Sequence, residues 1–187
     1  MELLILPVVI LLLPGIWAVV QYNQLIGLRN HIAEAWSGVD TELKRRYDLI
    51  PNLIATVKGY AAHERETLER VVELRNRCLA STGRPADQAR DENQLVDALK
   101  HLLAVVEQYP VLKADQHFTK LQQELINTEN RIQAMRRFYN GNVRDYRNKC
   151  ERFPGNLVAS MFGFQPRDFF SVHPSMREVP DVEFEGS

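Results

Sequence analysis

The feature of this sequence that most restricts its fold is an apolar residue at every third or fourth position over long stretches. Such spacing lines one face of an α-helix, because residues three or four apart are neighbours on the helix surface. The first stretch contains Tyr22, Leu25, Leu28, Ile32, Trp36, Val39, Leu43, Tyr47 and Ile50. We therefore predict an amphipathic helix over this stretch.

A second helix is predicted to begin near Pro51. Asp48 is a residue type that caps helices, and proline suits the first turn because its missing N–H would be unpaired there anyway. We therefore expect the chain to break or kink near Ile50. The apolar spacing then continues as far as Cys78, and the segment Ser81–Pro85, with the sequence STGRP, ends the helix.

Two more helices complete the predicted fold. The third is indicated by the apolar residues between Leu95 and Val106 and ends before Pro110, and the fourth runs from Asp115 to Phe153. Strand patterns are almost absent. Long helices with apolar faces and short connections bury those faces against one another, so we predict an all-α, antiparallel up-and-down helical bundle.

An uncharged segment, Leu3–Val20, precedes the first amphipathic stretch. Its eighteen residues would span about 27 Å as a helix, which is enough to cross a bilayer. Glu2 lies where a cleaved signal peptide would carry basic residues, so we interpret the segment as an uncleaved transmembrane helix. Arg29 and later basic residues follow the span and none precedes it, which places the N-terminus outside the cell and the bundle in the cytoplasm.

These patterns divide the chain into three parts. They are an N-terminal membrane anchor (residues 1–21), a helical bundle with a Phe-rich cap at its C-terminal end (22–170) and a mobile acidic tail (171–187). The Phe-rich segment, residues 153–170, contains too many apolar side chains to be left in water. It either caps the bundle, contacts a neighbouring subunit or meets lipid.

Residue patterns that support catalysis are missing. His63-Glu64 begins like the zinc signature H-E-x-x-H, but position 67 is threonine, so the second ligand is lost. The glycines are scattered and form no phosphate-binding loop. The formal net charge of −1 gives little attraction for nucleic acid. We interpret Cys78 and Cys150 as packing residues and expect no catalytic residue, no cofactor, no metal and no nucleic-acid partner.

Two groups of polar residues remain as candidates for interaction. The first crowds the predicted junction between helices and consists of Lys44, Arg45, Arg46, Asp48, Asn52 and Lys58. We interpret its basic cluster as a charged face that is solvated or lies between subunits, since about 36 Å of helix separates Lys44 from the membrane. The second group is a candidate hydrogen-bonded layer inside the bundle, at Glu64, Arg75, Thr128 and Asn130.

Several long motifs resemble the LemA family of bacterial membrane-anchored helical proteins. They occur in the family's order at 22–30 (YNQLIGLRN), 35–64, 109–125 (YPVLKADQHFTKLQQEL), 128–132 (TENRI), 138–143 (FYNGNV) and 153–164 (FPGNLVASMFGF). One departure is Arg147, where the family pattern usually has asparagine. The resemblance implies one N-terminal membrane helix followed by an antiparallel helical bundle, and it supplies no catalytic residues.

The sequence thus predicts a membrane-anchored, non-enzymatic scaffold or adaptor. We expect it to contact lipid through residues 3–20, to form a homo-oligomer and to bind other membrane proteins. The alternative is a single-pass sensor that binds a small ligand or a partner at the charged junction near Pro51.

Overall fold

The computed structural model describes residues 2–61 and 63–170, with side chains from residue 12 onward. Every regular element in these ranges is helical, which confirms the predicted all-α class. The helices are α1 (Glu2–Tyr60), α2 (Arg65–Ala80), α3 (Pro85–Val106), α4 (Pro110–Lys113), α5 (Gln116–Glu151) and α6 (Gly155–Met161).

Helix α1 passes through Pro51 without interruption, so the predicted break near Ile50 is wrong. Proline removes the N–H that would bond to the carbonyl of Tyr47, four residues earlier. That carbonyl accepts a hydrogen bond of 2.7 Å from Nε of Arg75 on α2 instead. Because a side chain replaces the missing backbone donor, the helix continues to Tyr60, and the predicted second helix is divided between α1 and α2.

The chain forms two compact units, and α1 and α5 contribute to both. Within the described residues, the first unit contains residues 2–42 and 131–169. The second contains residues 43–61, 63–130 and Phe170.

In the second unit, helical segments from α1, α2, α3 and α5 enclose an apolar core. Tyr60 contacts Asp115 and Arg46 contacts Glu129, so α1 and α5 run antiparallel here. The four-residue connection between α2 and α3 likewise makes them an antiparallel pair. The fully buried side chains of this core include Ile50, Leu53, Val57, Val71, Leu74, Leu95, Leu102 and Phe118.

Asp115 fixes the start of α5, in agreement with the predicted start of the fourth helix. Its carboxylate accepts hydrogen bonds from the backbone N–H of Phe118 (3.0 Å) and from the hydroxyl of Tyr60 (2.8 Å). The bond from Phe118, followed by that from Tyr60, holds the pKa of Asp115 below its usual value. The hydrogen bond between Tyr60 and Asp115 raises the pKa of Tyr60. The cap therefore also joins the end of α1 to the start of α5.

In the first unit, α1 and α5 also pack in antiparallel directions. The rings of Trp36 and Tyr139 lie 5.2 Å apart, and a side chain at Gly38 would meet the sulfur of Met135 at 3.2 Å. Glycine at position 38 therefore allows the two helices to approach closely. The buried apolar residues of this unit include Leu25, Ala35, Val39, Ile132, Val143, Tyr146 and Val158.

The Phe-rich segment folds onto α1 within the first unit. The rings of Phe162 and Phe164 lie 4.9 and 5.5 Å from the ring of Tyr22, in edge-to-face arrangements. The hydroxyl of Tyr139 donates a 2.9 Å hydrogen bond to the carbonyl of Asp168. These contacts fix the segment against α1 and α5 while part of its apolar surface stays exposed.

Two predicted parts of the chain lie wholly or partly outside the described residues. The acidic tail, residues 171–187, is one, and the side chains of residues 1–11, which form much of the predicted anchor, are the other. Across the part of the chain that the structure does describe, no helix is long and apolar enough to cross a membrane.

Candidate functional site

Arg46 is the most deeply buried charged residue among those described. It lies on the apolar face of α1, and only 1% of it is exposed. Its guanidinium donates to the carboxylate of Glu92 on α3, and Nη1 donates to Glu129 of α5 at 2.7 Å. A buried guanidinium needs such partners because removing a charge from water is costly. The prediction that the basic cluster is a solvated or inter-subunit face is therefore wrong for Arg46.

Tyr47 completes this arrangement, which we call the charge cluster: Arg46, Tyr47, Glu92 and Glu129. The hydroxyl of Tyr47 donates to the second carboxylate oxygen of Glu92. Glu92 is 3% exposed, and each of its carboxylate oxygens accepts a hydrogen bond from a side chain of the protein, one from Arg46 and the other from Tyr47. Three helices of the second unit are thus joined through polar contacts in an otherwise apolar core.

A cavity of about 190 Å³ lies beside the charge cluster. Its polar lining comes from Arg46, Glu129, Lys100 and Asn130. The remaining lining is aliphatic and consists of Val96, Leu99, Leu103, Leu125 and Ile126. An apolar cavity with a few polar groups in its lining is the usual form of a small-molecule site.

The other predicted interaction residues do not join the charge cluster. Lys44, Asp48 and Asn52 are exposed on α1. Arg45 is also exposed and makes a 3.4 Å ion pair with Glu124. Lys58 lies more than one helical turn beyond Asn52 on α1, beside a second depression in the protein surface.

That depression is the groove between α1 and α2, which we call the α1–α2 groove. It has a volume of about 540 Å³. Its lining is formed by Ile54, Lys58, Arg65, Leu68, Glu69, Val72, Glu73 and Asn76. It therefore combines aliphatic side chains with charges of both signs.

The predicted polar layer is distributed over the second unit rather than gathered at one level. Glu64 accepts a 2.9 Å hydrogen bond from the hydroxyl of Tyr109, which raises the pKa of Tyr109. Arg75 bonds to the backbone of α1, as described above. Thr128 is fully buried, and its hydroxyl has no hydrogen-bond partner within the described part of the chain. Asn130 is exposed at the cavity.

Glu92 is not among the predicted site residues, although the sequence contains a signal for it. It lies three residues after Ala89 and three before Leu95, both buried on the same face of α3. A carboxylate in register with an apolar face requires a buried partner of opposite charge. Which partner it finds depends on how the helices pack, so the spacing alone does not identify Arg46.

Both cysteines are buried and no disulfide joins them. Burial raises the pKa of the Cys78 thiol to about 11 and also raises that of Cys150. Each thiol is therefore protonated at neutral pH, and a protonated thiol is a poor nucleophile. The His63-Glu64 pair lies between α2 and α1 rather than inside a helix, and the described side chains form no group that could hold a metal ion.

The profile of the LemA family matches residues 35–184. The chain belongs to the LemA family. This confirms the resemblance found in the sequence motifs, and the charge cluster and its cavity lie within the matched region. The LemA-family region includes all of α2 to α6 and the part of α1 that carries Arg46.

Curated relatives of this LemA-family chain are distant. Magnetosome protein MamQ 1 of Paramagnetospirillum magneticum is 23% identical over 180 residues, which cover 83% of this chain and 66% of the relative. Protein LemA of Metamycoplasma hominis is 28% identical over 151 residues, covering 80% of this chain and 66% of the relative. The chain thus matches just under two thirds of the length of these relatives.

Proposed function

We propose that this LemA-family chain is a membrane-anchored, non-enzymatic scaffold that assembles with further copies of itself. The observation that carries this proposal is the exposed apolar edge of the α1–α2 groove. Val72 lines this groove and is exposed on α2. Leu79, also exposed, lies seven residues further along, so it extends the same face of the helix beyond the groove. Exposed apolar side chains in a row favour contact with another helix.

The charges of the α1–α2 groove favour a second copy as the occupant. Lys58 and Arg65 are basic, and Glu69 and Glu73 are acidic. A surface with both signs can meet an identical surface across a twofold axis, where each basic group faces an acidic one. The apolar edge would then be buried at the centre of the contact.

The internal bonding of the charge cluster supports a structural role rather than catalysis. Arg46 and Glu92 bond to each other and to Tyr47 and Glu129, so their charges are used within the protein. The raised pKa values of the Cys78 and Cys150 thiols also favour a structural role over catalysis. Other membrane proteins could be recruited along the same helical surfaces.

Anchoring is proposed from the sequence of residues 3–20, with the N-terminus outside and the helical units in the cytoplasm. Reporter fusions test this orientation. Alkaline phosphatase fused at the N-terminus should be active and the same reporter fused at the C-terminus should be inactive. The reverse pattern would contradict the proposed topology.

Self-assembly is tested on the full-length chain in detergent by light scattering, which gives the protein mass without the micelle. We expect a mass that is a multiple of 21.6 kDa. Val72→Arg should reduce it to the monomer by placing a charge at the apolar edge. Val111→Arg is the matched control, because Val111 is exposed on α4 outside the groove. A monomeric wild-type chain would overturn the proposal.

A second candidate function is the sensing of a small ligand, and the cavity beside Arg46 favours it. A ligand with an aliphatic body and a carboxylate would match the aliphatic lining and the ammonium group of Lys100, because the guanidinium of Arg46 is already bonded to Glu92 and Glu129. Hexanoate and octanoate are suitable probes. A ligand that binds the folded state must raise the melting temperature, and Leu103→Trp should abolish that rise by filling the cavity. An unchanged melting temperature with both probes would count against sensing of this chemistry.

A further inference from the structure

An apolar patch is exposed on and beside α6. It consists of Phe153, Leu157, Met161 and Phe162, and Phe153 and Met161 are 79% and 77% exposed. Exposed groups of apolar side chains mark sites that contact other proteins or membranes. Neighbouring side chains of the segment are buried in the first unit, so the exposed ones are held in place by a fixed backbone.

The position of this α6 patch along α1 indicates what covers it. The ring of Phe162 packs against Tyr22, which lies only two residues beyond Val20, the last residue of the apolar run 3–20. Two residues are about 3 Å of helix. The patch therefore lies level with the end of the run, where the side chains of Ile16 and Val19 are also exposed.

Aromatic and basic residues occur close to the patch. The guanidinium of Arg29 lies 6.0 Å from the centre of the Phe164 ring. Arg152 and Arg167 are exposed close to the patch in sequence. Tyrosine and tryptophan are enriched at the headgroup level, and basic side chains there are attracted to anionic lipids.

We infer that the α6 patch inserts into the headgroup region of the membrane that residues 3–20 enter, as a second lipid contact beside the anchor. This inference rests on the proposed anchoring. The patch contributes apolar area to the bilayer, and the nearby arginines favour a surface containing anionic lipid. A second copy of the chain is the competing occupant, and the experiment distinguishes the two.

The test uses the full-length chain reconstituted into nanodiscs of phosphatidylethanolamine and phosphatidylglycerol. Nitroxide labels are attached one at a time through Leu157→Cys, Met161→Cys, Ile16→Cys and Val111→Cys, each in a Cys78→Ala/Cys150→Ala background. Electron paramagnetic resonance then measures collisions with oxygen, which enters lipid, and with a water-soluble nickel chelate. Circular dichroism checks that each variant keeps its helix content.

We expect the labels at positions 157 and 161 to favour oxygen over nickel several-fold relative to the label at position 111. If position 16 is in lipid and position 161 is in water, the inference is wrong and the anchor stands. If position 16 is in water, the anchor is wrong, and the inference falls with it even when position 161 is in lipid. Labels in water at both positions overturn both proposals. A label at 161 that is shielded from both agents indicates a protein contact and also overturns the inference.

Discussion

Nε of Arg75 donates to the carbonyl oxygen of Tyr47 at 2.7 Å, and this carbonyl is the one that Pro51 deprives of its helical partner. A side chain from α2 therefore repairs the backbone of α1. The contact explains how a long helix contains a proline in its interior. It also fixes the packing of α2 against α1 at that level.

Removing this donor should destabilise the fold through Pro51. Arg75→Met leaves the Tyr47 carbonyl without a partner, and we expect a loss of about 1 to 3 kcal/mol in unfolding free energy. In a Pro51→Ala background the alanine N–H bonds to the carbonyl, so the same substitution should cost much less. Urea unfolding of the four chains in detergent measures this coupling. Equal costs in both backgrounds would show that Arg75 acts independently of the proline.

Adjacent arginines of α1 should differ strongly in their effect on stability. Arg46→Met leaves Glu92 buried and unpaired, which we expect to cost about 3 to 5 kcal/mol. Arg45→Met removes only an exposed ion pair with Glu124, and its cost should stay below about 1 kcal/mol.

A compensating substitution checks the reason for the loss at Arg46. Arg46→Met/Glu92→Met removes both buried charges, so most of the stability should return. Urea unfolding of the single and double variants provides the comparison. If the double variant is as unstable as Arg46→Met alone, an unpaired carboxylate is not the cause.

The helical parts of the fold could be predicted because their signals are local. The apolar spacing from Tyr22 to Ile50 predicts a helix from neighbouring residues alone. The cap at Asp115 likewise involves residues close to it in the sequence. The predicted break near Pro51 is wrong because proline's local preference is for the first turn of a helix. The bond that overrides this preference comes from Arg75, twenty-four residues away, and depends on tertiary packing.

The charge cluster illustrates the same limit for the candidate site. Arg46 was identified as a candidate, but its neighbours Lys44 and Arg45 are exposed while it is buried. Which of three adjacent basic residues faces the core follows from the rotation of the helix. Tyr47 and Ile50 lie on the buried face of α1. Their positions in the sequence could have predicted that Arg46, and not Lys44 or Arg45, also lies on that face. Glu92 lies on a different helix and becomes its partner only through folding.

Replacing Thr128 by valine should stabilise the protein. Its fully buried hydroxyl has no hydrogen-bond partner among the described residues, and such a group costs about 1 to 3 kcal/mol. Thr128→Val is therefore expected to raise the melting temperature by about 2 to 4 °C for each kcal/mol gained.

A threonine whose hydroxyl is bonded serves as the control for this change. The hydroxyl of Thr56 donates to the carbonyl of Asn52 at 2.9 Å on an exposed face of α1. Thr56→Val should give no comparable gain. A lower melting temperature for Thr128→Val would mean that the hydroxyl has a favourable interaction in the folded protein.

Alkaline pH should weaken the fold partly through Cys78. Burial raises the pKa of this thiol to about 11, above its value in the unfolded chain. Between the two pKa values the folded state binds the proton more strongly, so the unfolding free energy falls as pH rises. The contribution is fully present below the unfolded pKa and is lost as pH approaches 11. The unfolding free energy of Cys78→Ala, measured by urea unfolding, should therefore fall less steeply between about pH 8.5 and about pH 10.5. This range lies below the folded pKa of the thiol. Tyr139 and Tyr146 titrate in both chains and cancel in the comparison, so parallel pH curves would exclude a contribution from Cys78.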